Sequence, residues 1–235
     1  MKKDIKQKKV VFFCSHTQDG NMSKKYGNEE EVKKNIQNFF EKVGISQKDC
    51  CNYTILNSDV ICTYEQLQNG LEETDAVIIT KPNQYVYLNF GDCIPLVVFD
   101  NQKNILGFAH MGWNSICKDL HMKLIRYMMQ NYESELKDLT VYFGPSISSD
   151  SYAFANPAQK DMPEWKDFLY KENDLYHIDL VGYIIQGLEK LGIDQRKIIK
   201  NNVDTATNKD YYSHYRSTQF HEAEGRFIFG VGIVL

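Results

Sequence analysis

Hydrophobic and polar positions follow two rhythms along this chain, and each points to a kind of element. Short runs rich in Val, Ile, Phe and Tyr, bounded by turn residues, predict strands at residues 10–14, 76–80, 85–90, 94–99, 105–110, 140–143 and 227–234. Longer stretches repeat their apolar positions every three to four residues and predict helices. Over Glu29–Val43 the side chains of Val32, Ile36, Phe39, Phe40 and Val43 form one face. Three glutamates open that helix at its positive dipole end and Gly44 ends it. Residues 115–132 carry Ile116, Leu120, Leu124, Tyr127 and Met128 at helical spacing, with Asn114 or Ser115 as N-cap. Residues 179–191 place Leu180, Ile184, Leu188 and Leu191 on one side and close at Gly192. Strands and helices intermix, but several strands follow one another through short turns. That predicts an α/β fold with mixed sheets and flanking helices in α/β/β/α-like layers, not a doubly wound parallel sheet.

Nothing interrupts this pattern. With only five prolines and no Gly/Ser linker, low-complexity segment or repeat, residues 10–235 read as one domain behind a basic tail, residues 1–9. Lys and Arg total 27 against 31 Asp and Glu, a net charge of −4, which gives no electrostatic footprint for nucleic acid. No apolar stretch approaches the roughly 18 residues of a membrane span. Six cysteines, at 14, 50, 51, 62, 93 and 117, form no CxxC or metal-finger spacing. Reduced thiols in a cytoplasmic protein, monomer or homodimer, are the expectation.

Reactive side chains concentrate between residues 91 and 113. Gly91-Asp92-Cys93-Ile94-Pro95 leads into one strand, residues 100–104 are turn chemistry, and the next strand ends at His110-Met111-Gly112-Trp113. A turn centred between Asn101 and Gln102 sets Cys93 opposite His110, with Cβ atoms ~5 Å apart. A facing Cys–His pair supports a thiol nucleophile with an imidazole base, or two ligands of a zinc ion. A buried cysteine beside a hydrogen-bonded core histidine has the same spacing. Near the C-terminus, Tyr211-Tyr212-Ser213-His214-Tyr215-Arg216 precedes Gly225-Arg226. Arginines suit phosphate or carboxylate and tyrosines offer faces to a planar base, although a Tyr-rich edge strand needs neither. Gly144-Pro145-Ser146-Ile147-Ser148-Ser149 directly follows a strand, and is either a ligand-facing loop or a plain strand-to-loop turn.

Taken in order, these segments resemble a bacterial family first labelled multicopper polyphenol oxidase or laccase-domain. Its members are described as zinc-containing purine nucleoside phosphorylases and, in another role, as peptidoglycan editing factors. Residues 19–23 resemble the family's early Gly-x-x-Ser loop, and residues 75–80 its Asp-Ala-x-x-x-Thr strand. Residues 91–95 resemble Ala-Asp-Cys-x-Pro, and residues 110–113 resemble His-Ala-Gly-Trp. Gly144-Pro145-Ser146-Ile147 with Tyr152 resembles Gly-Pro-x-Ile…Tyr, and residues 212–216 with Gly225-Arg226 resemble Phe-Ser-x-Arg-Arg…Gly-Arg.

The resemblance implies phosphate-dependent cleavage of adenosine-, inosine- or guanosine-type nucleosides to a free base and ribose 1-phosphate, with adenosine deamination in some members. It implies a zinc ion, with copper the other candidate, held by Cys93 and His110. Asp92 would orient Cys93, while Arg216, Arg226, Tyr212, His214 and Ser146 would surround nucleoside and phosphate. The departures are specific. The family's first metal ligand is a histidine upstream of the Asp-Ala strand, and this chain has no histidine between His16 and His110. The segment there, Leu56-Asn57-Ser58-Asp59-Val60-Ile61-Cys62, offers Asp59 or Cys62 as replacement ligand, with a metal-free member as the alternative. Asn114 stands where an arginine is usual, Asp204 where a cysteine is usual, and Tyr215 where one of two arginines is usual. Two other readings compete. One is a Cys–His hydrolase or amidase acting on a wall precursor, with Cys93 as nucleophile and His110 as base. The other is a nucleoside-binding protein without catalysis.

Overall fold

The computed structural model describes residues 9–234. Its strands are β1 (Lys9–Cys14), β2 (Cys50–Cys51), β3 (Ile61–Thr63), β4 (Ala76–Ile79), β5 (Gln84–Phe90), β6 (Ile94–Asp100), β7 (Ile105–Met111), β8 (Leu139–Phe143), β9 (Ala153–Phe154), β10 (Leu169–Glu172), β11 (Leu175–Ile178), β12 (Ile198–Ile199) and β13 (Phe227–Val234). Its α-helices are α1 (Glu29–Val43), α2 (Tyr64–Gln68), α3 (Trp113–Cys117), α4 (Leu120–Tyr132), α5 (Leu180–Leu191) and α6 (His214–Phe220). One sheet has the order β1-β13-β5-β2 and a second the order β12-β8-β6-β7-β4-β3; a small sheet, β10-β11-β9, stands apart.

The period-2 alternation of β4, β6 and β7 sorts their side chains onto two buried faces. Val77, Ile79, Val97, Phe99, Leu106 and Phe108 point toward the first sheet and meet Val86, Leu88, Phe90, Phe227, Phe229 and Val231. Ala76, Ile78, Leu96, Val98 and Ala109 point the other way, against Leu124, Ile125 and Met128 of α4 and Ile184 and Leu188 of α5. Burial on both faces explains why β6 and β7 read as unbroken apolar runs. On the far side of the first sheet, Phe39 and Phe40 of α1 pack against Phe13, Tyr87 and Ile228. The result is helix, sheet, sheet, helix in layers, as the sequence predicts.

Local chemistry sets the ends of the elements. Asn28 caps α1 by accepting from the N–H groups of Glu30 and Glu31, and left-handed Gly44 (φ 68°) ends it. Asp179 is the N-cap of α5, accepting from the N–H of Gly182. Three expectations are corrected. The helix expected over 115–132 is two helices: Asp119 takes a left-handed conformation (φ 55°) and breaks it. Ile116, Leu120 and Leu124 still share one core across the break, so the apolar period alone does not reveal it. Gly112, not Asn114 or Ser115, is the N-cap of α3, because the chain turns into the helix directly from β7. The Tyr-rich segment is no edge strand: Ser213 caps α6 by accepting from the N–H of Arg216. Lys9, the last residue of the expected basic tail, pairs with Val234, and residues 1–8 of that tail lie outside the described residues.

Candidate active site

The hairpin β6–β7 delivers the central residues, in a register two residues away from the expected one. Asp100 pairs with Ile105, so four residues form the turn. The Asp100 carboxylate accepts from the N–H groups of Gln102 (2.9 Å) and Lys103 (2.8 Å), and Asn104 is left-handed. His110 consequently faces Pro95, not Cys93, and Cys93 lies just beyond the end of β6. Because side chains alternate with period 2, a slip of two residues keeps both groups on the same face of the sheet. They still converge. The point where Gly112 would carry a Cβ lies 3.7 Å from Cys93 Sγ and 3.4 Å from His110 Cε1.

A third side chain reaches the same point, with Asn57 Oδ1 also 3.4 Å from it. Asn57 sits in a loop with left-handed backbone (φ 54°). The buried Asp75 carboxylate pins that loop by accepting from the N–H groups of Leu56 (3.0 Å) and Val60 (3.4 Å). The Asp75 carbonyl also accepts the N–H of His110 at 3.0 Å, so one residue registers the loop against β7. Sequence reasoning named the segment but not Asn57; an asparagine suited to φ > 0 beside a serine was the available signal. Cys93, His110 and Asn57 therefore form one corner, with Gly112 as its floor.

Neither charged form is favoured in this corner. Burial brings the His110 imidazole down to about 4. Burial, reinforced by the Asp92 carboxylate and opposed by Arg226, pushes the Cys93 thiol up to about 12. His110 Nδ1 is buried with no hydrogen-bond partner among the described residues. Its ring lies beside Phe90, with centroids 5.2 Å apart.

Asp92, the preceding residue, behaves in the opposite way. Its carboxylate accepts from Thr205 Oγ1 (2.6 Å), Ser213 Oγ (3.0 Å) and the N–H of Tyr215 (2.6 Å). Its carbonyl accepts the N–H of Ile147. Its own backbone is held at φ 89°, a strained value for a residue with a Cβ. Asp92 thus ties three loops to the start of β6 and positions Cys93.

These loops wall a cleft of about 320 Å³ whose lining includes Asp92, Cys93, Gly112, Trp113, Tyr152 and Tyr215. Tyr152, Phe154 and Tyr215 form an aromatic wall, with ring centroids 4.8 to 6.3 Å apart. Tyr152 belongs to the Gly144–Ile147 motif that the resemblance picks out, whereas Phe154 carries no sequence signal. His214 also lines the cleft, and its Nδ1 is 2.7 Å from Glu224 Oε1. Arg226 lies against Gly91 and stacks on Tyr26 at 4.2 Å. Glu224 is 3.2 Å from the Arg226 guanidinium as well, so one carboxylate engages both His214 and Arg226.

Other expected site residues are placed elsewhere. Arg216 is buried, and its guanidinium is consumed by Glu222 and by the carbonyls of Thr205, Ala206, Asn208 and Tyr211. It is a structural knot, with Nε, Nη1 and Nη2 all engaged within the protein, and it is not part of the cleft lining. The Tyr212 ring packs on Gly225 and is not part of the cleft lining. Ser146 spends its carbonyl on the N–H of Thr205, and its neighbour Ile147 lines the cleft instead. Asp59 is ion-paired with Lys123 in a separate surface hollow. Cys62 is buried between the sheets, opposite Val77. Neither Asp59 nor Cys62 joins the corner.

The donor set does not fit a complete zinc or copper site. Sulfur and imidazole nitrogen are good ligands for such ions, but the third corner carries a neutral amide oxygen. Among the described residues no three of His, Cys, Asp and Glu converge. Among the described residues, too, no helix is long and apolar enough to cross a membrane.

A layered α/β/β/α domain with a thiol, an imidazole and an aromatic cleft at the mouth of its central hairpin defines the class. The chain belongs to the multi-copper polyphenol oxidoreductase laccase family, which it matches over residues 13–234. It is 29% identical over 187 residues to a purine nucleoside phosphorylase of Clostridium acetobutylicum, covering 78% of this chain and 76% of that protein. It is 28% identical over 200 residues to a purine nucleoside phosphorylase of Rickettsia prowazekii, covering 80% and 78%. Among solved structures, YlmD from Geobacillus stearothermophilus superposes with a TM-score of 0.80 at 16% identity, over 96% of this chain and 92% of that one. The Bacillus licheniformis hypothetical protein YfiH gives 0.78 at 19% identity, over 90% and 85%. At these identities the two structures speak for the fold.

Proposed function

We propose that this chain binds purine nucleosides in the aromatic cleft and cleaves them with phosphate. The observation that carries this is the cleft of about 320 Å³, which combines an aromatic wall with Asp92, Cys93 and His214. Its size falls at the small end of ligand sites, roughly 300–1,000 Å³. The relatives named as purine nucleoside phosphorylases supply the reaction class. In this reading the base packs on Tyr152, Phe154 and Tyr215, and the ribose faces Asp92 and Cys93. Phosphate approaches Arg226 and His214 once Glu224 releases them. A phosphate oxygen then bonds to the anomeric carbon as the glycosidic bond breaks, and its electron pair leaves with the base, which takes up a proton. Location in the cytoplasm accords with the reduced-thiol reading of the cysteines.

A second reading has its own support. The missing third donor and the occupied Arg216 favour a nucleoside-binding member without turnover. Free purine released from inosine and adenosine, with and without phosphate and with and without added zinc, separates the two. Phosphate-dependent release supports phosphorolysis. Binding by calorimetry without release supports the second reading, and neither binding nor release rejects both.

A further inference from the structure

Cys93, His110 and Asn57 meet over Gly112, where atoms of all three lie 3.4 to 3.7 Å from the point at which a Cβ would stand. Two of the three are strong donors for a borderline-soft divalent cation, and one is not. A catalytic zinc is held by three protein ligands plus an open position, and its ligands are thiolates, imidazoles and carboxylates. Here a single thiolate would be the sole anion facing the ion, beside a buried neutral imidazole. The amide of Asn57 has no hydrogen-bond partner among the described residues, and the residue is exposed, so nothing fixes its oxygen as a ligand.

We infer that Asn57 is the residue that sets metal affinity in this corner: with an amide there the site is incomplete and takes zinc weakly and exchangeably, and one substitution at this position completes it. The backbone makes that substitution practical. Position 57 is left-handed, and histidine and aspartate are, with asparagine, enriched there among residues other than glycine. Asp75 fixes the loop through backbone N–H groups of Leu56 and Val60, so the side chain at 57 is free to change. The inference rests on the corner itself and holds whichever substrate the cleft takes.

The test is zinc titration of the intact wild-type chain, Asn57→His and Asn57→Asp against a chromogenic chelator. Asn57→His should bind one equivalent at least about tenfold more tightly than wild type, since even an outer-shell partner is worth 10–100-fold in metal affinity. Cobalt in Asn57→His should show the intense visible bands of a tetrahedral thiolate site, lost when Cys93→Ala is added. Wild type should show only weak bands at the same cobalt concentration. Zinc should also raise the Tm of Asn57→His and leave that of wild type nearly unchanged. The inference is overturned if wild type retains one zinc as tightly as Asn57→His, or if folded Asn57→His and Asn57→Asp gain no affinity. Should Asn57→His not fold, Asn57→Asp alone decides, because it keeps the size of the native side chain. Purine release is not a readout, so failure here and failure of the nucleoside reading stay distinguishable.

Discussion

Asp92 and the corner formed by Cys93, His110 and Asn57 adjoin through the Asp92–Cys93 peptide and are opposite in character. The Asp92 carboxylate is satisfied by three donors from two loops. The neighbouring imidazole has a buried nitrogen with no partner, and the neighbouring thiol is held protonated by burial. A satisfied buried charge builds structure, whereas an unsatisfied polar cluster contributes little to it and is free for other work. Single substitutions on the two sides should therefore have very different costs.

The largest expected effect is on the satisfied side. Asp92→Ala strands the Thr205 and Ser213 hydroxyls and the Tyr215 N–H, and should cost about 3 kcal/mol or more, at roughly 1–3 kcal/mol for each buried donor left unsatisfied. Urea unfolding measures it; a loss below about 1 kcal/mol would erase the contrast with the corner. Next comes acid. Burial brings both His110 and His121 down to about 4, from 6.5. Below pH 6.5 the unfolded chain takes up protons before the native one, so stability falls from about pH 6.5 toward pH 4 and is unaffected by these groups above that window. Each histidine should account for about 3 kcal/mol by the bottom of the window, from 1.36 kcal/mol per pH unit. Urea unfolding at a series of pH values shows whether the slope is there.

A smaller effect sharpens the same point. His110→Phe loses no hydrogen bond and keeps an aromatic ring beside Phe90, so stability at pH 7 should change by no more than about 1.5 kcal/mol. It should also remove roughly half of the acid slope. A loss as large as that of Asp92→Ala would show the imidazole to be structural. Smallest is a kinetic effect on the thiol. With burial pushing it up to about 12, Cys93 should be alkylated by iodoacetamide at pH 8 far more slowly than an ordinary cysteine. Peptide mapping over time reads this directly, and fast stoichiometric modification would revive the thiol-nucleophile reading.

Much of this molecule was legible from its sequence, for reasons that also mark the boundary. Strands β4, β6, β7 and β13 are apolar runs buried on both faces, and helices α1 and α5 carry both a periodic face and a capping residue. Such signals are local. Cys93 and His110 were legible as a pair because the side-chain period forgives a two-residue register error. The roles of Arg216 and Asn57 were not legible, because they depend on the path of irregular loops, one folded around Arg216 by its near neighbours in sequence and one that carries Asn57 to a distant hairpin. Arg216 carries the charge suited to phosphate, but the backbone carbonyls that consume it are the same in every residue type, so no side-chain pattern marks them. Asn57 matters only because Asp75 folds its loop over Gly112.

The order of the first sheet has a consequence for how the chain reaches its native state. Strand β13 lies between β1 and β5, and the N–H of Ile228 is accepted by Ser15 Oγ, 213 residues away. Half of the interior between the sheets therefore cannot close until segments from opposite ends of the sequence have found each other. Contacts of that separation are slow to form, because the entropy of closing so long a loop is lost before the contact rewards it. The second sheet draws its hairpin β6–β7 from neighbouring residues and has no such wait. The hairpin should gain protection against hydrogen exchange early in refolding and β13 late, leaving β5 an unpaired apolar edge in the interval.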